Sequence, residues 1–220
     1  MSSQSVFSGL VIRWVTVPSL AIFLAAIPAI AQGSNGDYMF LVASGFLCDL
    51  GDSSACPAVV KSAQGESYEM SGAGTLSTQG KSVTATGTFT HKSRDGNALE
   101  TGIWIASDLV SFNSYGIAPG ALMQQGRVFG PPRFGPRRLP MLSGPMPAGG
   151  LATFRIRLLP MWGASKTAIL QVNCALGKVP AEHQTEGIRL ALEGGGGEFD
   201  EELGGRTLFV LTRPGASGTP

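Results

Sequence analysis

Only two histidines, His91 and His183, are available for proton transfer near neutral pH, imidazole being the one side chain whose ordinary pKa lies in that range. His91 stands on the apolar parity of an alternating stretch, just before Lys92 and a turn. His183 stands in Pro180-Ala181-Glu182-His183-Gln184-Thr185-Glu186, a polar connection. A hydrolytic site on either would need a carboxylate to orient the ring, with Asp108, Glu100 and Glu182 as candidates, and a serine within hydrogen-bond reach. The second segment also offers imidazole and carboxylate donors to a divalent metal in Glu182, His183 and Glu186. The usual catalytic signatures are missing: there is no Gly-x-Ser-x-Gly, His-Glu-x-x-His, Ser-x-x-Lys or Cys-x-x-Cys, no phosphate loop and no dinucleotide fingerprint. Both histidines then read as turn and surface residues, and no cofactor is expected.

Charge is the more specific signal. Between Asp108 and Glu182 no acidic residue occurs, while Arg127, Arg133, Arg137, Arg138, Arg155, Arg157, Lys166 and Lys178 all do. The twenty-one residues from Glu182 to Glu202 then carry seven acids. One reading makes the basic stretch a surface for an anionic polymer, lipid headgroups or an acidic protein, with Arg127, Arg133, Arg137 and Arg138 as the contacts. In the other, the basic and acidic blocks neutralise one another within the fold. Nucleic acid is the poorest partner, since no recognised binding module is present.

The first residues point to export. Arg13 precedes an apolar run from Trp14 to Ile27, and Ala29-Ile30-Ala31 supplies the small-x-small pattern of a cleavage site. Residues 1–31 are therefore expected to be a cleaved signal peptide, an uncleaved anchor being the alternative. Removing Arg13 from the sixteen basic residues leaves fifteen against fifteen acids, a neutral mature chain. No later segment is long and apolar enough to cross a membrane as a helix. A secreted or periplasmic location permits disulfides. Cys48 and Cys56 bracket a short loop of small polar residues whose ends can meet, while Cys174 shares the apolar parity of Leu170, Val172 and Leu176 and reads as a buried thiol. A pairing of Cys174 with either of the others stays open.

The elements that must position these residues are strands. Ser67 to Leu76 and Ser82 to His91 alternate with a period of two, Thr84, Thr86, Thr88 and Thr90 opposing Ala85, Gly87, Phe89 and His91. Turns at Thr78-Gln79-Gly80-Lys81 and Arg94-Asp95-Gly96-Asn97 make this an antiparallel meander continued by a long strand from Ala98 to about Phe112. On that strand Trp104 shares parity with Gly102 and Ala106, and its ring can fill the space left by glycines on a neighbouring strand. Tyr38 to Cys48, apolar on both parities, reads as a strand covered on both faces. Residues 116–150 form a proline-, arginine- and glycine-rich insertion that cannot continue a helix or a central strand. Strands are expected again at 151–158, 167–176, 186–193 and 206–213, with an acidic turn at Glu198 to Glu202 and a disordered tail at 214–220.

The expected architecture is one all-β domain over 32–213, an antiparallel β-sandwich of about eight strands, with a distorted β-barrel as the alternative. The expected function is a non-catalytic binding or interaction domain of the cell envelope or secreted fraction, contacting its partner through the arginine-rich insertion and Trp104. Two alternatives are a carrier enclosing a small apolar ligand lined by Trp104, Phe89 and Tyr68, and a hydrolase built on His91 or His183 with a carboxylate.

Overall fold

The computed structural model describes residues 35–49, 51–118 and 145–215. The leader, most of the insertion with Arg127, Arg133, Arg137 and Arg138, and the end of the tail lie outside these residues. The meander predicted from alternation forms as β3 (Ser67–Ser77), β4 (Ser82–Lys92) and β5 (Ala98–Ile117), paired in the register Gly72↔Gly87 and Gly87↔Trp104. Lys81 and Gly96 take the positive φ values, 45° and 82°, that these tight turns require. The Trp104 ring lies across Gly72 and Gly87, where a Cβ on either glycine would collide with it. Its indole nitrogen donates to the Ser71 carbonyl at 3.1 Å. The glycines are thus the space that lets a fully buried tryptophan seat on the sheet.

The remaining strands are β1 (Gly36–Val42), β2 (Ala58–Ser62), β6 (Met146–Pro160), β7 (Lys166–Cys174), β8 (Gly187–Leu192), β9 (Glu198–Gly204) and β10 (Thr207–Pro214). All ten lie in one hydrogen-bonded sheet in the order β1-β10-β6-β5-β4-β3-β2-β9-β8-β7, and the pairs are antiparallel. Additional pairings of β1 with β3 and of β7 with β6 fold the two ends of that order back onto its interior. As a result β3 and β6 fork. β3 gives one edge to β4 and divides the other between β2 and β1, while β6 gives one edge to β5 and divides the other between β10 and β7. A barrel keeps one neighbour on each side of every strand, so the distorted barrel is not the architecture.

Two strands beyond the expected eight are β2 and β9. β2 is only five residues long, too short for its alternation to stand out. β9 occupies the sequence expected to be an acidic turn; Phe199 is its buried anchor, Glu198, Asp200 and Glu201 are exposed, and Glu202 folds against Arg189. Other boundaries shift as well. β1 stops at Val42, because Ala43 turns at a φ of 41°, and a short 3₁₀ helix Gly45–Asp49 replaces the rest of the expected strand. That helix presses Leu47 onto Leu41, Leu208 and Val210, covering the second face of β1 and β10. β6 begins at Met146, inside the expected insertion, where Gly149 and Gly150 pass too close to the Leu176 carbonyl and the Phe112 ring for any side chain.

The Cys48–Cys56 disulfide forms, with the Cα atoms 5.4 Å apart. Its loop is fastened to the β9–β10 turn, where Gly205 and Arg206 donate their amides to the Ser54 and Ala55 carbonyls, and the Arg206 guanidinium meets Asp52 at 3.0 Å. Hydrogen bonds from the Ser54 hydroxyl and amide, with Arg206 beside them, hold the Asp52 carboxyl down at about 2. Cys174 is buried and free, and burial pushes its thiol up to about 12, so it is an inert core residue. The main core joins residues from across the sheet, with Phe40 stacked on Phe154 at 4.9 Å and Phe112 packed on Phe209 at 5.0 Å.

Candidate functional site

Three places bring together side chains able to act. At the first, the end of β7 carries Asn173, whose amide nitrogen donates to the His183 and Thr185 carbonyls and whose oxygen accepts the Tyr115 hydroxyl at 3.0 Å. This buried clamp holds the 181–185 segment against the sheet and lays the His183 ring nearly parallel to Tyr115, 6.3 Å away. Burial pushes the Tyr115 phenol up to about 12, so it stays a neutral donor to Asn173. A small cleft opens here, lined by Gln171, Glu182, His183, Thr185, Arg189 and Glu202 among others. Arg189 and Glu202 close one wall with a 2.9 Å ion pair. A neighbouring cleft of about 160 Å³ shares Gln171 and Arg189 and runs on to Glu198 and Asp200.

Glu186 does not join Glu182 and His183. Its carboxylate turns towards β10 and accepts the Thr207 amide at 2.7 Å, and desolvation raises its pKa above the ordinary carboxylate range. Among the described residues no three His, Cys, Asp or Glu side chains converge to hold a metal, so the expected trio is spread over two environments.

The second place is the end of the fold where β2, β3, β4 and β5 meet their turns. His91 is buried on the inner face rather than exposed at a turn, because its strand keeps the inward parity of Phe89 for one more pair. The ring lies flat on Tyr68 at 4.4 Å and meets Phe199 edge-on, and its Nε2 is 3.2 Å from Glu66. None of the expected carboxylates orients either histidine. Glu100 binds Lys166 with both oxygens at 2.7 Å, Asp108 accepts from Ser107, and Glu182 makes no ion pair among the described residues. No serine is hydrogen-bonded to either ring among those residues. The Tyr68 hydroxyl, wholly buried beside this pair, has no hydrogen-bond partner among the described residues. Trp104, Phe89 and Tyr68 all lie in the core, and Trp104 presents no exposed surface.

The third place is on the outside. Ile103 and Ile105 on β5 are both more than two-fifths exposed, Ile103 opposite Leu159 of β6. Beyond Leu159 the hairpin between β6 and β7 lifts Met161 and Trp162 into solvent, Trp162 being 77% exposed. The Met161 amide donates to the Thr101 carbonyl and the Thr101 hydroxyl donates to its sulfur, which fixes the root of the hairpin beside β5. Trp162 lies in the connection between the strands expected at 151–158 and 167–176, and a tryptophan among the uncharged residues 160–165 is the signal in the sequence that marks it. Charge is partly neutralised within the fold. Arg155 pairs with Glu193 and Lys166 with Glu100, whereas the Arg157 guanidinium bonds the Ser165 hydroxyl at 3.5 Å.

Among the described residues no helix is long and apolar enough to cross a membrane. Comparison with protein-family models, with curated proteins and with solved structures finds no match for this chain.

Proposed function

We propose that the protein is an exported, non-catalytic binding domain of the cell envelope or secreted fraction, its signal peptide removed after Ala31. In this reading the folded sheet packs as a sandwich, and the partner is met on the outer surface of β5 and the β6–β7 hairpin. The observation that carries it is the neighbouring exposed set Ile103, Ile105, Met161 and Trp162. Large apolar side chains gathered on one surface mark contact sites, and tryptophan is the residue most often dominant in them. Arg127, Arg133, Arg137 and Arg138 are retained as a second, electrostatic contact, tested by replacing Arg133, Arg137 and Arg138 with Ala.

The test separates exported protein into envelope-bound and free fractions for the wild type and for a Trp162→Ala, Ile103→Thr variant. Binding through this surface requires the wild type to be retained and the variant released at unchanged melting temperature. Equal retention of the two would remove the surface from the account.

A hydrolase reading draws on one observation, the cleft that groups His183 with Glu182, Thr185 and Arg189. It requires that His183→Ala abolish an ester- or glycoside-cleaving activity while the fold persists; wild type inert towards such substrates would end it.

A further inference from the structure

The outer apolar set ends in an unusual hairpin tip. Met161, Trp162, Gly163, Ala164 and Ser165 are all exposed and none is charged. Gly163 turns at a φ of 99° with no atom near the place of a side chain, so the tip stands clear of the sheet. The hairpin beneath it, β6 and β7 together, carries Arg155, Arg157 and Lys166; Glu193 and Glu100 pair with the first and last, and among the described residues Arg157 pairs with no carboxylate. Resting on the binding-domain reading, we propose that this tip inserts Trp162 and Met161 into an anionic lipid surface, with Arg157 reaching the headgroup phosphates.

Three physical arguments select this occupant. A lipid surface needs only a few inserted side chains, and indole settles at the level of the headgroups, where one edge is apolar and the N–H remains wet. The absence of charge on the tip removes the main cost of entering the interface, because ionised groups are expensive in hydrocarbon. The available charge comes instead at the root of the hairpin, from Arg157 on β6 opposite Thr167 of β7, since Lys166 beside it is paired with Glu100. Arg157 has a hydroxyl rather than a carboxylate as its side-chain partner, which leaves its charge available to a phosphate. A neutral sugar polymer would use the indole and leave the Arg157 charge without a role.

The experiment uses processed protein recovered from the exported fraction and vesicles of phosphatidylcholine with and without phosphatidylglycerol. Trp162 emission is isolated as the difference between wild type and Trp162→Phe, since Trp104 is buried and shared by both. A blue shift on anionic vesicles is expected, with partition weakened about tenfold in Trp162→Ala and a reduced anionic preference in Arg157→Gln. Both side chains are exposed, so the variants keep the wild-type melting temperature. No shift on anionic vesicles, or equal partition into neutral ones, overturns the proposal. Loss of envelope retention in Trp162→Ala without any vesicle binding also overturns it, and leaves the binding-domain reading with a polysaccharide or protein as partner.

Discussion

Tyr68→Phe should make this protein more stable. The ring is wholly buried between His91, Phe89 and Phe199, at centroid distances of 4.4, 5.9 and 4.8 Å, and phenylalanine preserves all three contacts. What the substitution removes is a buried hydroxyl with no hydrogen-bond partner among the described residues. Leaving such a group unpaired costs about 1–3 kcal/mol, so a gain of about 1–2 kcal/mol is expected after small losses in packing. For a domain of this size that is about 2–8 °C in melting temperature. Burial, with the Glu100 and Glu66 charges nearby, also raises the Tyr68 pKa above its ordinary 10.0. A group raised in the folded state contributes stability that is complete below the unfolded value and lost as pH rises through the folded one. The wild type should therefore lose stability above about pH 10 more steeply than the variant, widening the gap between them. Thermal melts of both proteins at neutral and alkaline pH make the comparison. A lower melting temperature for Tyr68→Phe at neutral pH would refute the reasoning, because the hydroxyl would then be bonded in solution.

Other substitutions test separate parts of the structure. Glu186→Gln keeps an acceptor for the Thr207 amide and removes a buried charge; with the carboxyl pKa raised, the wild type should gain stability as pH falls towards 4.5, and the variant should be about 1 kcal/mol more stable at pH 7 with that slope gone, as read by denaturant unfolding. Asp52→Asn should remove a contribution that the wild type holds above pH 3.8 and loses as pH falls towards about 2, visible as convergence of the two acid melts. Gly87→Ala should cost more than about 3 kcal/mol or prevent folding, since its methyl would meet the Ser71 carbonyl and the Trp104 ring; soluble yield and circular dichroism decide it. Replacing Cys48 and Cys56 by alanine should lower stability by about 2–3 kcal/mol, measured by chemical denaturation.

The parts of the fold that could be read in the sequence are those where local pattern and tertiary packing agree. Alternation in β3 and β4 places Thr84, Thr86 and Thr88 outward against Ala85, Gly87 and Phe89 inward, and both turns carry the residues their geometry needs. The glycines of β3 and β4 anticipated the seat of the Trp104 ring, and the spacing of Cys48 and Cys56 anticipated their bond. β9 is hidden because Glu198, Asp200 and Glu201 are exposed on a strand held mainly by β2, so its composition resembles a turn. The forking of β3 and β6 is set by which distant strands meet them, and nothing local records it. Site residues were less legible. The partner of His91 is Glu66, across a strand pair and a turn, and no rule of spacing selects it over Glu100, which goes instead to Lys166. Nothing in its spacing sets Trp162 apart from a turn residue, and its exposure at the hairpin tip is what distinguishes it.

The most direct test of the binding surface is oxidative footprinting of the exported protein, free and on its own envelope, read residue by residue. Contact through the outer surface requires Trp162, Met161 and Ile103 to be labelled freely in solution and protected on the envelope, while Phe46, exposed on the 3₁₀ helix, is labelled equally in both. Equal labelling of Trp162 and Met161 in the two states would contradict the account.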